Sequence, residues 1–159
     1  MTTINNYNKL VDLVFYVIKN YPHKNELSKA RLTKIIYLLD WKSSLDYWEQ
    51  ITDINWYFDS YWPYVTDIVK IAENEDLFKL EPYMTYYNNI WTNIYLNDLD
   101  YNPEISDNIK NVFAFIVKEI EKLNFNDFID LVYSTYPIQV SERYSYLNLT
   151  SLANEYKNN

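Results

Sequence analysis

The sequence of 159 residues contains no cysteine and no glycine. Without cysteine it has no disulfide, no thiolate nucleophile and no zinc–thiolate site. Without glycine it lacks the Gly-rich phosphate loops, the dinucleotide fingerprint and the nucleophile elbow, because these motifs need backbone at positive φ or pressed against a ligand. The single histidine, His23, follows Pro22 in a loop-like run, and we interpret it as a solvated residue. We therefore expect a protein that is not an enzyme, with no catalytic residues, no metal and no cofactor.

Basic residues are also scarce. Lys and Arg number 14 against 22 Asp and Glu, which gives a net charge of −8. Binding to a phosphate backbone rests on Lys and Arg that displace counterions, so nucleic acid is not an expected partner. Nor is a membrane, because no apolar run approaches the ~18 residues needed to cross one. The start of the chain has no basic segment typical of a signal peptide, and together with the lack of cysteine this predicts a cytoplasmic protein.

Acidic residues are plentiful, and two arrangements of them are of the kinds that bind calcium or catalyse acid–base reactions. Asp98, Asp100 and Asn102 resemble the start of a calcium loop, but Pro103 and Ile109 stand where that loop needs glycine and glutamate. Other carboxylates lie in or near residues 40–67, and a pair of them could serve in acid–base catalysis only if one had a raised pKa. We interpret these carboxylates as a solvated acidic surface.

The apolar residues predict a mainly α fold: a single compact helical domain with one small antiparallel β-hairpin. Helices are expected over residues 7–21, 28–48, 64–73, 106–123, 126–133 and 149–156. The hairpin is expected over residues 84–96 with a turn at Asn88 and Asn89. Residues 51–63 predict a short extended segment followed by a turn. The second helix is expected to be the centre of the core, with one buried face formed by Leu32, Ile35, Ile36 and Leu39.

The second helix and the segment after it resemble a known family. Residues 32–41 read LTKIIYLLDW and resemble the L-x-K-L-L-Y-L-A-D helix of the Panacea domain, the SocA-like antitoxin family. Residues 51–53 and 61–65 occupy the places of the family's Ile–Thr stretch and Gly-Pro-Val turn, with Trp62 in place of the glycine. Residues 129–137 are similar to its short helix that runs into a Thr-x-Pro element.

This resemblance implies a non-catalytic antitoxin that neutralises a toxin by binding it. The positions that match the family motif are Lys34, Tyr37 and Asp40 in the helix and Pro63 and Val65 in the turn. Lys34 and Asp40 are about 600° apart around a helix, so they do not share a face. Asp40 is the residue expected to anchor the aromatic segment that follows.

That aromatic segment, residues 56–64, is the predicted partner-binding site. Trp56, Phe58 and Trp62 are candidates to fill the core beside the second helix, and about half of them are expected to do so. The others should reach the surface, because burying every tyrosine hydroxyl would be costly and because Tyr and Trp dominate binding hot spots. The predicted partner-binding residues are Tyr57, Tyr61, Trp62 and Tyr64.

The sequence leaves two kinds of protein partner open. One is a toxin whose basic site suits an acidic surface. The other is a bacterial defence effector, which a phage-encoded protein of this kind would inhibit by acidic mimicry of nucleic acid. Acidic charge and abundant tyrosine fit both, and the oligomeric state is not predicted.

Overall fold

The computed structural model describes residues 2–60 and 63–159 and confirms a mainly α fold. Its described residues form seven α-helices and a 3-10 turn at Lys24–Glu26. The helices are α1 (Thr2–Asn20), α2 (Lys29–Tyr47), α3 (Asp67–Asn74), α4 (Asp107–Ile120), α5 (Phe125–Ser134), α6 (Tyr136–Val140) and α7 (Leu149–Lys157).

In the described part of the chain, five short strands form two antiparallel sheets, whereas the sequence predicts one sheet. Strands β3 (Phe78–Met84) and β4 (Ile90–Leu96) make a hairpin. Strand β1 (Tyr57–Phe58) lies between β2 (Pro63–Tyr64) and β5 (Ser145–Tyr146) in the second sheet. Because Tyr64 belongs to strand β2, helix α3 begins at Asp67, three residues later than predicted.

The chain divides into two compact units. One comprises Met1–Thr33 and Thr66–Ser106, and the other comprises Lys34–Val65 and Asp107–Asn159. The expectation of a single domain stays a prediction.

In the first unit, the apolar stripe of α1 is buried as its spacing predicts. Its Phe15 ring lies 5.0 Å from the ring of Tyr101 and 6.3 Å from that of Phe78. The hairpin differs from the prediction in its first strand, which begins at Phe78 rather than Met84. The sequence does not predict the first part of this strand because Pro82 lies inside it. Proline is normally confined to edge strands and strand ends.

Helix α2 is buried to a greater extent than an amphipathic pattern predicts. Leu32, Ile35, Ile36 and Leu39 are each 0% exposed, which confirms the predicted face. However, every residue from position 31 to 41 is buried, charged ones included. A helix covered on all sides is typical of the centre of a core.

Within residues 2–60 and 63–159, three residues take the left-handed backbone conformation that glycine usually supplies: Trp48, Asn88 and Tyr144, with φ of 64°, 63° and 65°. Asn88 lies in the hairpin loop, where asparagine is the common substitute. Trp48 directly follows the end of α2 and contacts the side chain of Lys157 in α7. The Lys157 ammonium lies 4.1 Å from the Trp48 ring centroid and donates to the Leu45 carbonyl.

Candidate partner-binding site

The site is built on the carboxylate of Asp40, which is fully buried in α2. Its Oδ1 accepts hydrogen bonds from the backbone N–H groups of Ile51 and Thr52, both at 2.9 Å. Its Oδ2 accepts from the Trp56 indole N–H at 2.8 Å, from the Thr52 hydroxyl, and from Gln50 Nε2 at 3.4 Å. These five bonds fasten residues 50–56 to the helix, which is the anchoring role predicted for Asp40.

Burial and hydrogen bonding act in opposite directions on the Asp40 carboxyl. Burial raises its pKa to about 6, although the bonds from Thr52, Trp56 and Ile51 lower it in part. All five donors are uncharged groups, and each oxygen of the ionised carboxylate accepts at least two hydrogen bonds from them. The carboxylate is therefore mainly ionised at neutral pH.

We predict that Asp40 titrates near pH 6 in the folded protein, against about 3.9 in the unfolded chain. Between those pH values the folded protein binds more protons at Asp40 than the unfolded chain does. Protonation of Asp40 therefore stabilises the fold, and this contribution to the free energy of unfolding is complete below about pH 4 and is lost as the pH rises through 6. A carboxyl ¹³C NMR titration measures this midpoint. A midpoint below about 4 would show that the five donors outweigh burial.

The anchored segment runs directly into β1, and strand alternation turns Trp56 and Phe58 inward. They are 0% and 6% exposed, as the core interpretation predicts. The Trp56 ring packs edge-on against Tyr37 at 5.4 Å. Tyr57 points the other way and is half-buried.

Strand β5 and the residue before it bring two distant tyrosines to β1. Tyr57 and Tyr146 are register partners, and their ring centroids are 5.1 Å apart in an edge-on contact. The hydroxyl of Tyr144 lies 3.1 Å from Ser60 Oγ, and its backbone N–H donates to the Phe58 carbonyl at 2.6 Å. Tyr144 and Tyr146 are 63% and 68% exposed. We call Tyr57, Tyr144 and Tyr146 the tyrosine face.

An open cavity of about 610 Å³ adjoins the tyrosine face at Tyr146. Its walls come from residues 49–55 and from the start of α7, and they include the carboxylates of Glu49 and Asp53. Among the described residues that line it, none is lysine or arginine. The cavity is therefore polar and acidic, and a cationic side chain suits it electrostatically.

The predicted partner-binding residues fall into two groups. Tyr57 belongs to the tyrosine face. Tyr61 and Trp62 lie outside the described residues, and so does the side chain of Tyr64, whose backbone pairs with Tyr57. Their partner-binding role stays a prediction.

The motif residues lie in the interior. Tyr37 is fully buried, its hydroxyl is 2.9 Å from Thr135 Oγ1, and burial raises its pKa. Lys34 is 1% exposed, and burial lowers its pKa to about 8. Pro63 and Val65 are buried as well. These positions are therefore suited to supporting the aromatic segment rather than to touching a partner.

Sequence reasoning missed Tyr144 and Tyr146 completely. Each strand of this sheet has two residues, which is too short to give an alternating pattern, and β5 is 87 positions along the chain from β1. The one local signal is the alternation of residues 144–146, Tyr-Ser-Tyr, shortly after helix α6.

Residues 2–60 and 63–159 contain no group of three metal-ligating side chains close enough to hold an ion. Over the same residues, no helix has the length and apolarity to cross a bilayer. The absence of a cofactor stays a prediction.

Comparison with known proteins places the chain in a family. A family model described as antitoxin SocA-like, Panacea domain, matches residues 32–137, two thirds of the sequence. The chain belongs to this family of SocA-like antitoxins. No curated protein and no solved structure matches the chain. The matched segment contains Asp40 and Tyr57 and ends before Tyr144 and Tyr146.

Proposed function

We propose that this protein is a non-catalytic antitoxin of the cytoplasm that neutralises a toxin by direct binding through the tyrosine face. The observation that carries the proposal is the pair of exposed rings, Tyr144 and Tyr146, of which Tyr144 contacts Ser60 and Tyr146 packs on Tyr57. Rigid aromatic side chains bind a partner at low entropic cost, and they are frequent hot spots. Membership of an antitoxin family supports a protein as the partner.

Charge supports the choice of a toxin with a basic surface. The cavity beside Tyr146 carries Glu49 and Asp53, and the whole chain has a net charge of −8. A toxin that acts on RNA or nucleotides has a basic site, so the complex would gain electrostatic complementarity. The same charge is the one feature that favours a defence effector as the partner, through mimicry of nucleic acid.

The substitution Tyr146→Ala tests the tyrosine face. We expect it to weaken binding to the toxin by about 2 kcal/mol or more, roughly 30-fold in Kd, because it removes a central exposed ring. The melting temperature should stay nearly unchanged, since Tyr146 is 68% exposed. A tagged wild-type chain captures the partner from the host, mass spectrometry identifies it, and calorimetry with the purified pair measures the affinity.

Leu99→Ala is the control, because Leu99 is 70% exposed and lies outside the tyrosine face. It should bind the toxin as the wild type does. Equal losses from both substitutions, or none from Tyr146→Ala and Tyr57→Ala, would place the toxin site elsewhere. Identification of a defence effector instead of a toxin would favour the second kind of partner.

A further inference from the structure

The β3–β4 hairpin has an apolar face that continues beyond the part of it that is buried. The register pairs Leu80 with Ile94 and Met84 with Ile90, and strand alternation places these four side chains on the same face. Ile94 is 0% exposed, whereas Met84 and Ile90 at the far end are 64% and 70% exposed. Four residues of strand span about 13 Å, so the outer part of this ribbon extends past the core with its apolar face uncovered.

The loop that joins the two strands adds aromatic surface to the same end. Tyr86 and Tyr87 are 94% and 81% exposed, and their rings meet edge-on at 5.5 Å. Tyr83 is 41% exposed but lies with its register partner Trp91 on the opposite face of the ribbon. We call Met84, Tyr86, Tyr87 and Ile90 the hairpin tip. A contiguous exposed apolar patch of this kind marks an interaction surface in a folded protein.

Charge indicates which partner the hairpin tip fits. Residues 82–97 contain no charged side chain, although the chain as a whole carries 36 charged residues and a net charge of −8. A basic partner would gain from acidic groups at the contact, and none are present there. A second copy of this chain carries the same net charge of −8 and would be repelled by acidic groups, so it needs a neutral contact surface.

We propose that the hairpin tip is a self-association surface through which two copies of this chain form a symmetric dimer. In a two-fold dimer each copy contributes the same patch, so Met84, Ile90 and the tyrosine rings of one copy pack on those of the other. Met84, Tyr86, Tyr87 and Ile90 are 64% to 94% exposed, so most of their surface is free to be buried in such a contact.

Sedimentation velocity over a range from low micromolar to several hundred micromolar protein tests the dimer. The wild type should shift from the 19.4 kDa of the monomer towards twice that mass as the concentration rises. Ile90→Glu should stay at 19.4 kDa, with a dissociation constant raised at least about tenfold, because the dimer would bury two carboxylates at its centre.

Leu99→Glu is the matched control, because Leu99 is also 70% exposed but lies outside the hairpin tip. It adds the same charge and should dimerise as the wild type does. Circular dichroism establishes that both variants are folded. A wild type that stays monomeric throughout the range would overturn the proposal. Equal dimerisation of Ile90→Glu and Leu99→Glu would overturn it as well. Both outcomes are independent of any effect of Ile90→Glu on toxin binding.

A second measurement uses the lack of cysteine in the chain. Ile90→Cys supplies a single thiol per copy at the proposed interface, and Leu99→Cys supplies one outside it. A short bismaleimide should link two copies of Ile90→Cys efficiently and two copies of Leu99→Cys poorly. Equal linking of the two variants would also overturn the dimer.

Discussion

Asp40→Asn should lower the free energy of unfolding by about 3 kcal/mol or more, although it changes one atom and leaves the side-chain volume unchanged. All five hydrogen bonds to Asp40 come from donors, two at one oxygen and three at the other. An amide has only one oxygen, so its NH₂ group must face either the two backbone N–H groups of Ile51 and Thr52 or the Trp56 indole N–H and its neighbours. Each buried donor left without an acceptor costs about 1–3 kcal/mol.

The matched control is Asp53→Asn, which makes the same chemical change at an exposed position of the same segment. It should change the free energy of unfolding by no more than about 0.5 kcal/mol. Urea titrations monitored by tryptophan fluorescence measure both variants. A loss below about 1 kcal/mol for Asp40→Asn would mean that the segment is held mainly by packing of Trp56 and Phe58.

Ile36→Ala should lower the free energy of unfolding by about 2–5 kcal/mol, because it removes three carbon atoms from a side chain that is 0% exposed. The upper end of this range applies if the surrounding residues do not close the cavity. Helix α2 is buried all round in this region, so its neighbours have little freedom to move inward.

Ile90→Ala is the control for this prediction, since it deletes the same atoms from a residue that is 70% exposed. At low micromolar protein it should have almost no effect on the urea midpoint. A loss below about 1 kcal/mol for Ile36→Ala in a reversible titration would contradict the central role of α2.

The sequence predicts the parts of this fold that have a long regular pattern. Helices α1, α2 and α4 have apolar residues at three- and four-residue spacing, and each is found within a few residues of its expected bounds, apart from an earlier start for α1. Strand β4 alternates over seven residues and is likewise found. The anchoring role of Asp40 could be predicted because its partners follow it closely along the chain.

The parts of the fold that the sequence does not predict depend on contacts between residues far apart in the chain, or on elements and residues that depart from the usual local pattern. Strand β5 has two residues, and its place is set by bonds from Tyr144 and Leu147 to Phe58 and Trp56. Helix α6 has five residues and begins directly after α5, so its apolar residues give no separate period. Trp48 takes a conformation in which glycine is the usual residue, and the contact with Lys157 that accompanies it lies more than a hundred residues away.

The two attachments of the aromatic segment differ greatly in the length of chain that they enclose. The bonds of Asp40 join residues 10 to 16 positions apart. The pairing of Tyr57 with Tyr146 joins residues 89 positions apart. Closing a loop of about ten residues takes roughly 10–100 ns, and the entropic cost of closure rises with loop length. During refolding we therefore expect the segment to dock on α2 first and Tyr146 to join Tyr57 late. The complete tyrosine face would then exist only in chains whose folding is nearly finished, which ties the ability to bind a partner to the last steps of folding.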